Sequence, residues 1–337
     1  MLQEFLPSVI AAATRYTAES NGPTEILIID DSSTDNTAAW LLERGFKEDS
    51  ERADNQTSNP GLRFARNEKN LGFGETCNRG FELAAYPLVF LLNNDVEPGV
   101  DSIAPLVENF EDASVFAAHC RVLEFSGGRE CGTGKLGSFS RGFIRVHRSY
   151  TISESSNESG APLYSMFAGG GSAMFNRQRF LEVGGFEPLL SPFYWEDVEL
   201  SYRAWKRGYS VLYEPRSVTR HRISSTIGRL NRRKVRRIEQ RNRLIFHWIH
   251  LRDSRLLASH LAWLLVLAVT APLRFRPGFV VSCAAALRRL GAIRSRRNKE
   301  KRAQVRSDRD LFAIFRSMER RVDLIAYDDL REVADLP

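Results

Sequence analysis

Strand and helix signals alternate from the start of the chain to about residue 125, and that alternation narrows the fold more than any other feature. EILIID (Glu25 to Asp30) is a β-branched apolar run of the kind a buried strand needs. DSSTDNTAAWLLERG reads as a helix, with Ser33 as the predicted N-cap, Asp35 in a first turn that favours acids, and Gly45 as the stop. LRFARNEKN (Leu62 to Asn70) gives a shorter strand and a loop. In FGETCNRGFELAA, Phe73, Cys77, Phe81 and Ala84 recur at helical spacing, and PLVFLL (Pro87 to Leu92) is the next buried strand. The predicted class is α/β, with a mixed, mostly parallel sheet flanked by helices.

Such a sheet binds ligands at the carboxyl ends of its strands. Two strands end in acids there: Ile29 runs into Asp30 and Asp31, and Leu92 runs into Asn93, Asn94 and Asp95. Asp and Asn are also what turns prefer, so turn and ligand site both stand at this point. In MFAGGGSAMFNRQRFLEVGGFEP, backbone exposed at Gly169, Gly170 and Gly171 either approaches a ligand or permits tight packing. The motif matches neither GxGxxG nor a P-loop, because no Lys-Ser/Thr follows Gly171. YWEDVELSYRAWKRGY is a helix with Trp195, Val198, Tyr202 and Trp205 near one face and Gly208 at its end. Glu196 and Asp197 at its amino end either complement the helix dipole or supply a catalytic base. His221 stands among Arg216, Arg220 and Arg222, as a solvated side chain or a metal ligand.

The chain has 337 residues, 43% hydrophobic and 26% charged, which is globular composition. Cys77, Cys120, Cys131 and Cys283 form no CxxC pair and read as reduced thiols of a cytosolic protein, with neither disulfide frame nor zinc knuckle. The apolar part of MLQEFLPSVIAAATRYTAES lacks a basic lead-in and is not read as a signal peptide. EDSERADNQTSNPG (Glu48 to Gly61) reads as a surface loop. The net charge of +7 is uneven, with basic runs at Arg229 to Arg243 and Arg288 to Arg302. HLAWLLVLAVTAPL (His260 to Leu273), stopped by Arg274, Arg276 and Pro277, is shorter than the ~20 residues a spanning helix needs, and GFVVSCAAALRRL (Gly278 to Leu290) is a second apolar segment. The expected arrangement is helices at a membrane surface with Arg and Lys reaching anionic headgroups; a soluble helical cap is the alternative. Nucleic acid is not the expected partner, because no aromatics interleave the basic runs.

The ordered set IIDDSSTD, NLGFGETCNRG, LLNNDVEPG, GGGSAMFNR, GGFEP, WEDVELSYRAWKRGY and HRISST resembles the inverting family 2 glycosyltransferases of GT-A fold, and among them bacterial cell-surface, rhamnosyltransferase-like members. The resemblance runs from residue 1 to about 250. It implies a glycosyltransferase domain over 1–250, and the apolar and basic segments beyond it make 251–337 the expected helical, basic, membrane-associated extension. It implies that Asp30 and Asp31 contact the nucleotide, with Asn70, Gly72 and Asn78 in the donor-binding set. Asn93, Asn94 and Asp95 match the DxD element, with Asp95 as metal ligand and His221 as a further one. Gly169, Gly170, Gly171 and Ser172 match the donor-sugar and acceptor loop, and Asp197, beside Glu196, matches the base. The implied cofactor is Mg²⁺ or Mn²⁺, which offsets the charge of a leaving nucleoside diphosphate. The implied partners are a UDP- or dTDP-linked sugar, a cell-envelope glycan or lipid-linked acceptor, and an anionic membrane surface, on the inner face of the plasma membrane. Family members begin with a strand of the type VSVVIPTYNR, whereas here Met1 opens the helix that follows it, so the first strand is expected to be missing. The DxD position begins with Asn93 rather than Asp. Two alternatives are a nucleotidyltransferase on a similar sheet and an inactive, truncated transferase acting as a membrane-bound binding protein.

Overall fold

The computed structural model describes residues 1–48, 60–152, 161–222, 231–273, 277–321 and 323–328. Most of the expected loop at 48–61, Ile223 to Thr226 of the HRISST motif, and Arg274 and Arg276 lie outside the described residues. In chain order the elements begin α1 (Leu2–Ser20), β1 (Glu25–Asp30), α2 (Thr37–Glu43), β2 (Lys47–Glu48), β3 (Gly61–Arg66), α3 (Phe73–Leu83), β4 (Leu88–Leu92), β5 (Val96–Pro98), α4 (Ile103–Glu108), β6 (Val115–Glu124) and β7 (Glu130–Gly132). They continue β8 (Gly134–Ser140), β9 (Phe143–Ile152), β10 (Ser172–Asn176), α5 (Arg177–Val183), α6 (Glu196–Lys206), β11 (Ser210–His221), α7 (Arg232–His250), α8 (Ser254–Leu273), α9 (Pro277–Leu287), α10 (Leu290–Ala303), α11 (Asp308–Glu319) and β12 (Leu324–Asp328).

The chain divides into two compact units, one of residues 1–132, 169–196 and 214–223, the other of 133–168, 197–213 and 224–337. This division differs from the expected 1–250 and 251–337: β8, β9 and nearly all of α6 group with the carboxyl-terminal helices.

The first unit carries the alternating strands and helices. β1 pairs in parallel with β3, Glu25 opposite Gly61 and Asp30 opposite Arg66, and β2 adds to the far side of β3. The parallel pairing stops there. A second sheet has the order β4-β10-β6-β11-β5, with β7 on β6, and β10 runs antiparallel to both β4 and β6. β4 was expected to be fully buried, yet all five of its residues are half-buried, because it ends its sheet and pairs only with β10 among the described strands. Helix α2 starts three residues later than expected, with Asn36 in place of Ser33 at the N-cap position. Asp35 accepts the Thr37 amide at 3.0 Å, while Ser33 donates its own amide to Asp30 instead of capping. Phe81, Phe175 and Phe180 lock α3, β10 and α5 together; the Phe81 and Phe180 rings stack 3.5 Å apart. A buried Glu25–Arg63 pair at 2.9 Å also takes the Ala85 amide at 2.6 Å, fixing the chain just past α3 to β1.

The second unit holds a hairpin the sequence did not announce. β8 and β9 pair antiparallel across Arg141 and Gly142, whose φ angles of 48° and 78° make a tight two-residue turn, and β12 adds to the other side of β9. Helix α6 was expected to be amphipathic, but from Glu199 to Lys206 it is buried on every face. Its charges are therefore paired. Arg203 Nε donates to Glu199 at 3.1 Å, and His250 at the end of α7 meets the same carboxylate at 2.7 Å. Burial raises the Glu199 pKa, but Arg203 and His250 overcome it and hold the carboxyl far below the ordinary range. Lys206 pairs with Asp308, which also accepts the Tyr202 hydroxyl at 2.7 Å and the Arg252 amide at 3.1 Å. Removing one partner of such a pair leaves a buried charge uncompensated. Asp308→Ala is expected to cost about 3–5 kcal/mol. Urea unfolding of the whole chain checks this; a loss below about 1 kcal/mol would show that Lys206 finds another acceptor or loses its proton.

Candidate active site

The first strand end is organised by Asp31. Its carboxylate accepts the amides of Leu71 at 2.8 Å and Gly72 at 2.9 Å and the Asn67 side chain at 2.8 Å. Burial raises its pKa, and the bonds from Leu71, Asn67, Gly72 and Thr76 outweigh that and hold the carboxyl below its usual value. Asp31 thus fixes the loop that leads into α3, where Gly72 has φ of 82°. Asn70 touches the same corner through a marginal 3.5 Å contact to the Asp31 carbonyl. Asp30 accepts the Ser33 amide at 2.9 Å and lies 3.4 Å from Arg66 Nε.

The second strand end is a turn, Asn93 to Val96, closed by the Val96 amide on the Asn93 carbonyl at 3.2 Å. Asn94 is exposed at its tip and Asp95 is buried behind it. β11 runs antiparallel to β5 in the register Thr219 opposite Pro98 and His221 opposite Val96. That register carries His221 to the corner, where its Nε2 lies 3.3 Å from Asp95 Oδ1. Gly171 closes the opposite side. Its carbonyl accepts the Asn93 amide at 3.0 Å, and a Cβ placed on Gly171 would fall 2.4 Å from Asn93 Nδ2. Ser172 and Thr219 then join hydroxyl to hydroxyl at 2.7 Å.

Asp95 and His221 supply one carboxylate and one imidazole. Among the described residues no cluster of three or more His, Cys, Asp or Glu could hold a metal ion. Two protein donors suit a divalent cation that takes its remaining ligands from water and diphosphate oxygens, so the residues fit Mg²⁺ or Mn²⁺.

A third group gathers at α3. Asn78 holds the GGFEP turn through both its amide atoms, donating to the Phe186 carbonyl at 2.9 Å and accepting the Phe186 amide at 2.7 Å. The Asn78 amide is thereby engaged in a structural tie. Tyr194 and Trp195 both adopt left-handed backbone, φ 70° and 73°, immediately before Glu196. Consecutive bulky residues rarely hold that conformation, and such strain concentrates at functional sites. The half-buried Cys77 thiol is pushed up by burial first and then by the charges of Glu196 and Asp31. Asp197 opens the second unit's share of α6, its Oδ1 accepting the Val198 amide at 2.7 Å.

The structure thus joins Asp95 to His221, Asn93 to Gly171, and Asp31 to Gly72. Three contributors were missed. Asn67, 2% exposed, bridges Asp31 and Thr76 and takes a bond from Arg79. Thr219 locks β11 to Ser172. Arg222 donates its amide to the Asp95 carbonyl at 3.0 Å and its side chain to Glu4 of α1. Only the alternation of Thr219 with His221 along one strand offered a signal.

The chain belongs to glycosyl transferase family 2, whose profile it matches over residues 1–183. Its fold is mixed α/β and GT-A-like. Poly-β-1,6-N-acetyl-D-glucosamine synthase of Staphylococcus aureus is 24% identical over 217 residues, 63% of this chain and 46% of the relative. The chain spans less than half the length of the curated relatives it matches first. Two solved structures share the fold. GalNAc-T7 with UDP, GalNAc and Mn²⁺ has a TM-score of 0.51 at 19% identity, covering 68% of this chain and 42% of that one. TarS 1-349 of S. aureus has 0.50 at 11% identity, covering 95% and 87%.

Two predictions follow from the geometry. Gly171→Ala should displace Asn93 and cost roughly 1–3 kcal/mol by overpacking. Gly169→Ala, with nothing within 4 Å of the added carbon, should leave the unfolding midpoint unchanged. Because the folded pKa of Asp31 is depressed, its stabilisation is present above the unfolded value near 3.8 and is lost as pH falls through the folded value. Asp31→Asn should therefore destabilise at pH 7 and flatten the loss of stability below that window, as read from urea midpoints across pH.

Proposed function

We propose that this transferase moves a sugar from a nucleoside diphosphate donor, UDP-linked, to a hydroxyl of a cell-envelope glycan or lipid-linked acceptor, with inversion and with a divalent cation. The observation that carries the reading is the Asp95–His221 pair, set at the end of β4 by the register of β11 on β5. When bound, the cation offsets the charge gathering on the leaving diphosphate. Asp95 and His221 would hold it, and Asn93, fixed by Gly171, would orient the donor beside it. Asp31 keeps the loop into α3 rigid around the nucleotide. Asp197 removes the acceptor proton as the new bond to the anomeric carbon forms and the bond to the diphosphate oxygen breaks. Its place in the first turn of α6 favours the ionised carboxylate that this step needs. The choice of UDP and the cation draws on GalNAc-T7, whose structure holds UDP and Mn²⁺, and the glycan acceptor on the synthase.

Calorimetric titration of UDP, dTDP and GDP with and without Mn²⁺ tests this. UDP is expected to bind only with the metal, and Asp95→Ala to abolish that dependence. Asp197→Asn should keep donor binding and lower turnover by about 10²–10⁴-fold. Full transfer by Asp197→Asn would remove the base assignment, and release of pyrophosphate instead of nucleoside diphosphate would make the protein a nucleotidyltransferase.

A further inference from the structure

Helices α8 and α9 of the second unit each turn one side to the protein and an apolar side to solvent. α8 is fixed by His260, which accepts the Trp248 indole N–H at 3.2 Å through Nε2 and donates from Nδ1 to the Gly142 carbonyl at 2.7 Å. Trp263 packs on the same turn, since a Cβ on Gly142 would fall 2.6 Å from Trp263 Cβ. Leu261, Leu265 and Val269, at intervals of four, form a stripe on the outer face and are 56%, 67% and 61% exposed. α9 packs on α7 through Phe279, Ser282 and Ala286, with Ser282 Oγ donating to the Arg237 carbonyl at 3.1 Å. Its other side exposes Val280, Val281 and Leu287. No helix among the described residues is long and apolar enough to cross a membrane.

The surroundings of these faces are cationic. Residues 231–302 hold nineteen lysines and arginines against three acids, a net of +16 in a chain whose total is +7. Arg288, exposed, follows Leu287 directly. Arg289 lies close to Arg241, whose pKa is lowered to about 10 by burial first and then by that neighbouring guanidinium. An exposed apolar face bordered by like charges matches the two components of an anionic lipid surface, acyl chains and headgroup phosphates. Nucleic acid would use the arginines and leave the leucines and valines in water.

We propose that the exposed faces of α8 and α9 form a monotopic docking surface for an anionic lipid bilayer, with the apolar stripe entering the headgroup–acyl boundary and Arg288 and the arginines of α7 and α10 contacting phosphates. The surface belongs to the second unit and does not depend on the sugar-transfer reading.

Flotation of the whole protein with phosphatidylcholine vesicles, and with vesicles containing phosphatidylglycerol, tests it. Binding is expected to the anionic vesicles, weakening as salt is raised. Leu265→Ser with Val269→Ser should lower the partition coefficient at least about tenfold while circular dichroism stays unchanged, because both side chains are exposed. Arg288→Glu should reduce binding to anionic vesicles selectively. The proposal is overturned if the protein floats with neither vesicle, if the double variant floats as well as the parent, or if the protein binds an RNA homopolymer and no lipid. It is equally overturned if the double variant converts a dimer to a monomer without any vesicle binding, which would make a second copy the occupant.

Discussion

The register of β11 on β5 is the constraint from which the candidate site follows. Side chains two apart on a strand share a face, so the pairing that sets Thr219 against Pro98 also fixes where His221 points. Thr219 bonds Ser172; Ser172 follows Gly171; Gly171 presses on Asn93; the turn from Asn93 presents Asp95; and Asp95 meets His221 on the same strand as Thr219. The path closes on itself. A slip of one residue would send Thr219 and His221 to the opposite face and open it at two places. Arg222 adds a pin beyond the strand, its guanidinium over the Phe5 and Phe125 rings.

The second unit rests on a different constraint. A helix buried on all sides that still carries Glu199, Arg203 and Lys206 exists only where partners reach each charge. Those partners come from the end of α7 and the start of α11. This is why residues on both sides of position 250 form one compact unit. Burying these ions yields little net stability, but once buried they bind α6 to the helices around it, since breaking any pair is costly. Glu199, two residues beyond Asp197, is part of that network.

Much of this was legible in the sequence. Apolar runs ending in acids marked both strand ends, and the order of weak motifs identified the family where no single motif could. Asp95 and His221 were assigned together, although residue spacing alone cannot bring positions 126 apart into contact; register does that, and register depends on pairing partners far along the chain. The boundary of α2 was misplaced because Asp35 takes both the amide and the hydroxyl of Thr37, so the turn at Asp35 rather than Ser33 leads the chain into the helix. The burial of β4 was overestimated because an apolar run reads the same whether one edge or two are paired. The hairpin of β8 and β9 escaped notice because its turn uses Arg141, a residue seldom chosen for positive φ. The amphipathic reading of α6 failed because its polar residues face buried partners rather than water.

The distribution of charge ties these pieces together. If residues 231–302 carry +16 of a total +7, the rest of the chain carries −9. That acidic remainder includes Asp30, Asp31, Asp95 and Glu196. A nucleoside diphosphate approaching such a surface meets like charge, and the repulsion strengthens wherever burial lowers the effective dielectric. Neutral groups such as Asn93 and the Gly171 backbone can orient phosphate without adding to the repulsion, but they cannot cancel it. A divalent cation held by Asp95 and His221 would do both, which gives the proposed metal requirement an electrostatic cause in this chain's own composition.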